Sequence, residues 1–231
     1  MQLHQFRQSP FCEKVRLVLA AKGLSYEIVE VTPGLGQVSL FRLSGQRQVP
    51  VLVDGETVVA DSTAIALHLE QHHPQPALLP ADPELRARAL LLEDWADTAL
   101  AAGVRRALLQ AASSDPGLRA LLLPDATPGP LKQLLNAVPA GLGAAADTAW
   151  DSLFGAAERQ QLQRSLEQLL TLVSAQPYLV GPALTLADLA VVAQISWLRP
   201  QGLAVPGLGD NPLLEPLFNW RDQIVGRLAS V

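Results

Sequence analysis

The chain has 231 residues, a formal net charge of −5 and 49% hydrophobic residues, enough apolar material for one or two real cores and too acidic a balance for general nucleic-acid binding, which needs a basic stripe. Its single cysteine allows no internal disulfide and suits a reducing cytoplasm, and its four histidines lack metal-ligand spacing. No apolar run is long enough to span a membrane, and no charged-then-apolar secretory leader follows Met1.

Leu3, His4, Gln5, Phe6 and Arg7 alternate in polarity as a half-buried strand does. Val15, Leu17, Val18, Leu19 and Ala20 then form a helical apolar stripe, with Glu13 and Lys14 expected to face solvent. The joint between them, Ser9-Pro10-Phe11-Cys12, is a strand-to-helix turn in which Ser9 suits the N-cap and Pro10 the first helical position. A helix start gathers unpaired amides and the positive end of the helix dipole, so it favours an anion such as a thiolate. By themselves these four residues describe an ordinary capped helix.

Gln48-Val49-Pro50-Val51-Leu52-Val53 and Thr57-Val58-Val59-Ala60 flank Asp54-Gly55, a hairpin signal between β-branched runs. Pro50 cannot donate to a sheet and belongs at a strand start or edge. A cis bond there turns the Val49 backbone outward, where it can pair with an extended peptide as an added strand does. Asp61 and Ser62 end the hairpin and open a helix through Ile65, Leu67, His68 and Leu69. Ser62 suits a carboxylate and Asp61 an ammonium, although both also serve as plain caps. Together the three element ends supply a thiolate site, a backbone clamp and a zwitterion site in the order a γ-glutamyl-cysteinyl peptide requires.

The proline-dense stretch from His73 to Pro83 reads as a linker, and helix patterns dominate from Glu84 onward. Leu85 to about Ala112 reads as one long helix, with Arg86, Arg88, Glu93 and Asp94 on its polar face and Leu90, Leu91, Trp95, Leu100 and Val104 among its apolar positions. Breaks at Asp115-Pro116-Gly117, Pro124 and Pro128-Gly129-Pro130 make Ser113 to about Pro139 short helices and loop, a candidate lid over a second substrate. A further helix spans Asp151 to Ser174, burying Leu153, Phe154, Leu162, Leu166, Leu169, Leu170 and Val173, and stops at Gln176-Pro177. Thr185 with Asp188 is a capping box, a folding rather than a catalytic signal. Asn211 to about Leu228 forms the last helix, carrying Leu214, Leu217, Trp220 and Ile224.

Ser9-Pro10-Phe11-Cys12, Gln48-Val49-Pro50 and Asp61-Ser62 in this combination resemble the thioredoxin-like domain of cytosolic glutathione S-transferases, closest to the serine-type tau and zeta classes and to omega relatives. The resemblance implies an α/β thioredoxin-like domain over residues 1–75, a linker over 76–83 and an all-α helical bundle domain over 84–231. It implies glutathione as co-substrate, no further cofactor, and a cytoplasmic homodimer with no nucleic-acid or membrane partner. Ser9 becomes the catalytic hydrogen-bond donor to the glutathione sulfur, with Phe11, Gln48, Val49, Pro50, Asp61 and Ser62 in the glutathione site. Asp61 stands where many relatives carry Glu and reaches a methylene less far. Leu43-Ser44-Gly45 stands where relatives often have Asn-Pro, leaving Arg42, Arg47 and Gln48 as local candidates for the glycyl end. A small hydrophobic electrophile is expected against Trp95, Ala99, Ala102, Arg105 and Arg106. Two alternatives belong to other classes: a thiol-disulfide reductase of the omega or glutaredoxin type acting through Cys12, and a non-catalytic glutathione-binding stress-response module.

Overall fold

Four short strands, β1 (Gln2–Gln5), β2 (Glu27–Glu30), β3 (Val51–Asp54) and β4 (Thr57–Ala60), form one sheet in the order β2-β1-β3-β4. The structure is a computed structural model describing residues 1–32, 35–123, 127, 129–130 and 156–229. β1 and β2 run parallel, joined by helix α1 (Pro10–Ala21), while β3 is antiparallel to both β1 and β4. Asp54 pairs with Thr57, so the hairpin turns on Gly55 and Glu56, one residue later than the Asp54-Gly55 signal suggests. Gly55 takes φ 62°, a conformation that a residue without Cβ adopts freely.

The sequence does not announce β2 or the helix α2 (Leu35–Ser44) that follows it. Glu27-Ile28-Val29-Glu30 has no polar alternation, and Ile28 remains 56% exposed. Ladder pairing with β1 at the sheet edge, rather than burial of a face, makes this segment a strand.

The remaining described helices are α3 (Ser62–His72), α4 (Pro83–Trp95), α5 (Ala101–Ser114), α6 (Pro116–Leu121), α7 (Ala156–Ala175), α8 (Leu186–Ile195) and α9 (Glu215–Ala229). With the sheet they make a thioredoxin-like N-terminal domain followed by a helical one. α8 is buried along its whole length and packs on α1 and α4, as a helix apolar on all sides must. Asp188 anchors its start: Oδ2 accepts the Thr185 N–H (2.8 Å) and hydroxyl (2.7 Å), and Oδ1 accepts the Leu179 N–H at 2.7 Å. This is the folding role that the capping box implies.

The expected single helix from Leu85 to Ala112 is instead α4 and α5 joined through a π turn at Ala96–Leu100. The buried stripe of α4 runs Ala89, Glu93, Ala96 and Leu100. Leu91 lies about 200° around the helix from Ala89 and is 69% exposed, while Glu93, expected on the polar face, is 2% exposed. Both assignments are thus reversed, because a buried lysine recruits Glu93 inward.

The proline-dense stretch is tied down. Leu78 and Leu79 are buried, their amides donate to the Glu70 carboxylate at 3.1 Å, and Lys22 Nζ donates to the carbonyls of His73 and Pro76. α7 is described from Ala156, so Leu153 and Phe154 lie outside the described residues, as do about half of the candidate lid, including all of it after Pro130. Leu162, Leu166 and Leu169 are buried as expected, and so are Leu214, Leu217, Trp220 and Ile224 around α9.

Candidate functional site

Strand register brings the three element ends together. His4 pairs with Val51 and Val51 with Ala60. The exit from β1 toward Ser9, the entry to β3 after Pro50 and the exit from β4 into Asp61-Ser62 therefore lie side by side at one end of the sheet.

Ser9 is the N-cap of α1, in extended conformation, and its Oγ accepts the Cys12 N–H at 3.3 Å. That bond uses an oxygen lone pair, so the half-buried hydroxyl still has a proton, for which the Cys12 sulfur competes. Phe11 is half-buried in the first turn. Cys12 is fully buried, and burial pushes its thiol up to about 11 despite the opposing hydrogen bond from Ser9.

The Val49-Pro50 bond is cis, Pro50 is buried and Val49 packs against Val31, Leu40 and Val51. Gln48 is exposed. Nearby, the Arg47 guanidinium stacks 5.6 Å from the Phe41 ring centroid, and Ser44 Oγ closes α2 by donating to the Leu40 carbonyl at 2.9 Å.

Asp61 has φ 82°, in the left-handed region that non-glycine residues rarely occupy. Such strain clusters at functional sites. Its Oδ1 accepts the N–H groups of both Thr63 and Ala64 at 3.0 Å, so one carboxylate oxygen is committed to capping α3. Ser62 is buried and donates to Asp97 Oδ2 at 3.3 Å.

Below this corner lies a charged cluster. Lys14, expected in solvent, is completely buried: its Nζ donates to Glu93 Oε1 at 2.6 Å, to Asp97 Oδ2, and to Thr63 Oγ1 at 3.1 Å. The correction has a steric origin, since this face of α1 turns toward α3 and the π turn rather than outward. Thr63 Oγ1 also donates to Glu93 at 2.6 Å. Asp97 Oδ1 is buried with no hydrogen-bond partner, and burial holds the Asp97 carboxyl above its ordinary range although Lys14 pulls it down. A helical wheel phased on Ala89 and Leu100 puts Glu93 on the buried face, which is the signal the sequence carries for this cluster.

A cavity of about 500 Å³ opens beside Arg7 and Gln8, immediately before Ser9, walled by Leu121, Trp197, Gln201 and Val225. Trp95, Ala99, Ala102, Arg105 and Arg106 do not line it. Trp95 is half-buried in core contact, Ala99, Ala102 and Arg105 are exposed, and Arg106 pairs with Glu158 at 2.8 Å. Another cavity, of about 470 Å³, lies between the end of α7 and α9 and takes no residue from the thioredoxin-like domain. Among the described residues no His, Cys, Asp and Glu cluster has metal-binding geometry, and no helix is long and apolar enough to cross a membrane.

The model for the glutathione S-transferase N-terminal domain matches residues 3–77, and that for the C-terminal domain matches residues 155–226. The chain belongs to the glutathione S-transferase family. Glutathione S-transferase Z1 of Arabidopsis thaliana is 37% identical over 90 residues, 38% of this chain and 41% of that protein. A stringent starvation protein A homolog of Pasteurella multocida is 34% identical over 100 residues, 41% of this chain and 47% of that one. Maleylacetoacetate isomerase of Mus musculus is 39% identical over 98 residues, 40% of this chain and 45% of that one. The matches thus span less than half the length of these curated relatives. Among solved structures, a Rhodospirillum rubrum glutathione S-transferase superposes with TM-score 0.69 at 24% identity, covering 96% of this chain and 86% of that one. The β-etherase LigF of a Sphingobium species gives TM-score 0.71 at 24% identity, covering 99% of this chain and 98% of that one. These two likenesses establish the shared fold across the glutathione S-transferase domains.

Proposed function

We propose that this chain is a glutathione transferase in which Ser9 activates the glutathione thiol for attack on an electrophile. The observation that carries the reading is the alignment of Ser9, cis Val49-Pro50 and Asp61-Ser62 at one end of the sheet through the pairing His4–Val51–Ala60. In this reading the Val49 backbone clamps the cysteinyl residue, the start of α3 takes the glutamyl end, and the Ser9 hydroxyl donates to the sulfur. Gln48 and Phe11 border the peptide. The electrophile sits in the cavity beside Gln8, next to Ser9, rather than along the Trp95 to Arg106 face.

A free thiol with a pKa of about 8.5 is only a few per cent ionised at neutral pH. A hydrogen bond to a charged group contributes about 1.5 to 3 kcal/mol and a helix start about 0.3 to 1, together about one to three pKa units. A shift above about 1.5 units makes the thiolate the major form at neutral pH. Reactivity rises by less, because nucleophilicity falls with pKa along a Brønsted slope of about 0.4 to 0.5.

Conjugation of glutathione to an aryl halide tests the reading. Ser9→Ala should lower kcat/KM by about one to two orders of magnitude with glutathione affinity largely kept, and an unchanged rate removes Ser9 from its role. A second reading is a non-catalytic glutathione-binding stress-response module, and the match to a stringent starvation protein A homolog, named for a starvation response, agrees with its stress-response part. Retention on a glutathione matrix without activity toward aryl halides would support it. Homodimer formation and a cytoplasmic setting fit both readings.

A further inference from the structure

We propose that Lys14 is a positioning residue for glutathione: its buried ammonium offsets the paired carboxylates of Glu93 and Asp97 beneath the start of α3, and so lets that helix end receive the anionic glutamyl carboxylate. The inference rests on the function proposed above, and its test separates the two.

The start of α3 lies over buried negative charge. Ser62 and Thr63, the first two residues of α3, donate their hydroxyls downward to Asp97 and Glu93. Glu93 is 2% exposed, and Asp97 Oδ1 lacks any partner. Two buried carboxylates at this point would repel a carboxylate arriving from above and would cancel the attraction of the helix end. Lys14 contacts both carboxylates and Thr63, so one ammonium from α1 serves α3 and α4 together. Among the described residues, the charged groups in contact with this corner are Lys14 from α1, Glu93 from α4, Asp97 from the π turn and Asp61 at the α3 cap. Without Lys14 they are all negative.

A helix that needed only packing here would be served by a neutral side chain of similar length. Glu93 and Asp97, four residues apart and so on one helix face, reach the same ammonium. π turns recur at functional sites.

The test is calorimetric binding of two probes, S-methylglutathione and its 4-aminobutanoyl analogue, which keeps the glutamyl ammonium and lacks the α-carboxylate. Blocking the sulfur removes thiol ionisation from the measurement. Lys14→Met should weaken S-methylglutathione by at least about tenfold, the effect of one charge lost about 12 Å away at an effective dielectric constant of about 20. Binding of the analogue, which keeps only the ammonium at this corner, should hold or tighten, Lys14→Arg should restore affinity, and adding Asp97→Asn to Lys14→Met should recover most of the loss. Equal losses for both probes, or no loss for either, would overturn the proposal. If Lys14→Met does not fold, Asp97→Asn in the wild-type background decides: it should leave S-methylglutathione affinity unchanged or tighter, and a loss equal for both probes refutes the charge argument. Wild-type protein that binds neither probe refutes the glutathione site itself.

Discussion

Cys12 offers the sharpest test of transferase against thiol reductase, because it is the chain's sole cysteine and every thiol signal belongs to it. It is fully buried at the first turn of α1, with its thiol pushed up to about 11. At about pH 7.5 a thiol of pKa about 8.5 is about one-tenth thiolate, whereas one at about 11 is about 0.03% thiolate, a fall of about 300-fold. The more basic thiolate is intrinsically more nucleophilic by about 10- to 20-fold, so ionisation alone slows the native thiol by about 15- to 30-fold. Burial slows it further, since the reagent must wait for local opening. Labelling by an aryl disulfide should therefore be at least about 15-fold slower in native protein than in guanidinium, and Cys12→Ala should leave aryl-halide conjugation unchanged within about twofold. The same burial has a pH signature. The thiol ionises more readily in the unfolded chain, so its contribution to stability is complete below about pH 9 and is lost as pH rises toward 11. The difference in stability between wild type and Cys12→Ala should shrink by about 3 kcal/mol across that window. Native Cys12 reacting at the free-thiol rate, or disulfide reduction that vanishes in Cys12→Ala, would refute the reasoning and restore the reductase reading.

Further expectations concern the α3 and α8 starts. Asp61→Asn keeps an oxygen for the Thr63 and Ala64 amides and tolerates φ 82°, so stability should fall by less than about 0.5 kcal/mol, while Asp61→Ala should lose about 1 to 2 kcal/mol in urea unfolding. If Asp61 Oδ2 takes the glutamyl ammonium, Asp61→Asn should also weaken S-methylglutathione by about three- to tenfold, and equal affinity would free Asp61 from that role. Asp188→Ala strands the buried amides of Leu179 and Thr185, an expected loss of about 2 to 5 kcal/mol by urea or thermal unfolding; a loss under about 1 kcal/mol would show that water replaces the carboxylate.

Local chemistry in the sequence determined the element ends that make the site. Ser9 and Pro10 start α1, Asp61 caps α3, Pro50 stands before β3, and Thr185 with Asp188 starts α8, because caps and prolines act over three or four residues and need no tertiary partner. The helical second half was legible from periodicity for the same reason. Only the tertiary structure decided that β2 pairs with β1, that Cys12 is sealed in the core, and that Lys14 points inward to Glu93 and Asp97 across 79 and 83 residues of chain. Edge pairing leaves no amphipathic pattern to read, and a lysine's address depends on which carboxylates a distant helix presents. The π turn at Ala96–Leu100 belongs with them: helical periodicity does not mark it, and its second residue, Asp97, accepts from Ser62.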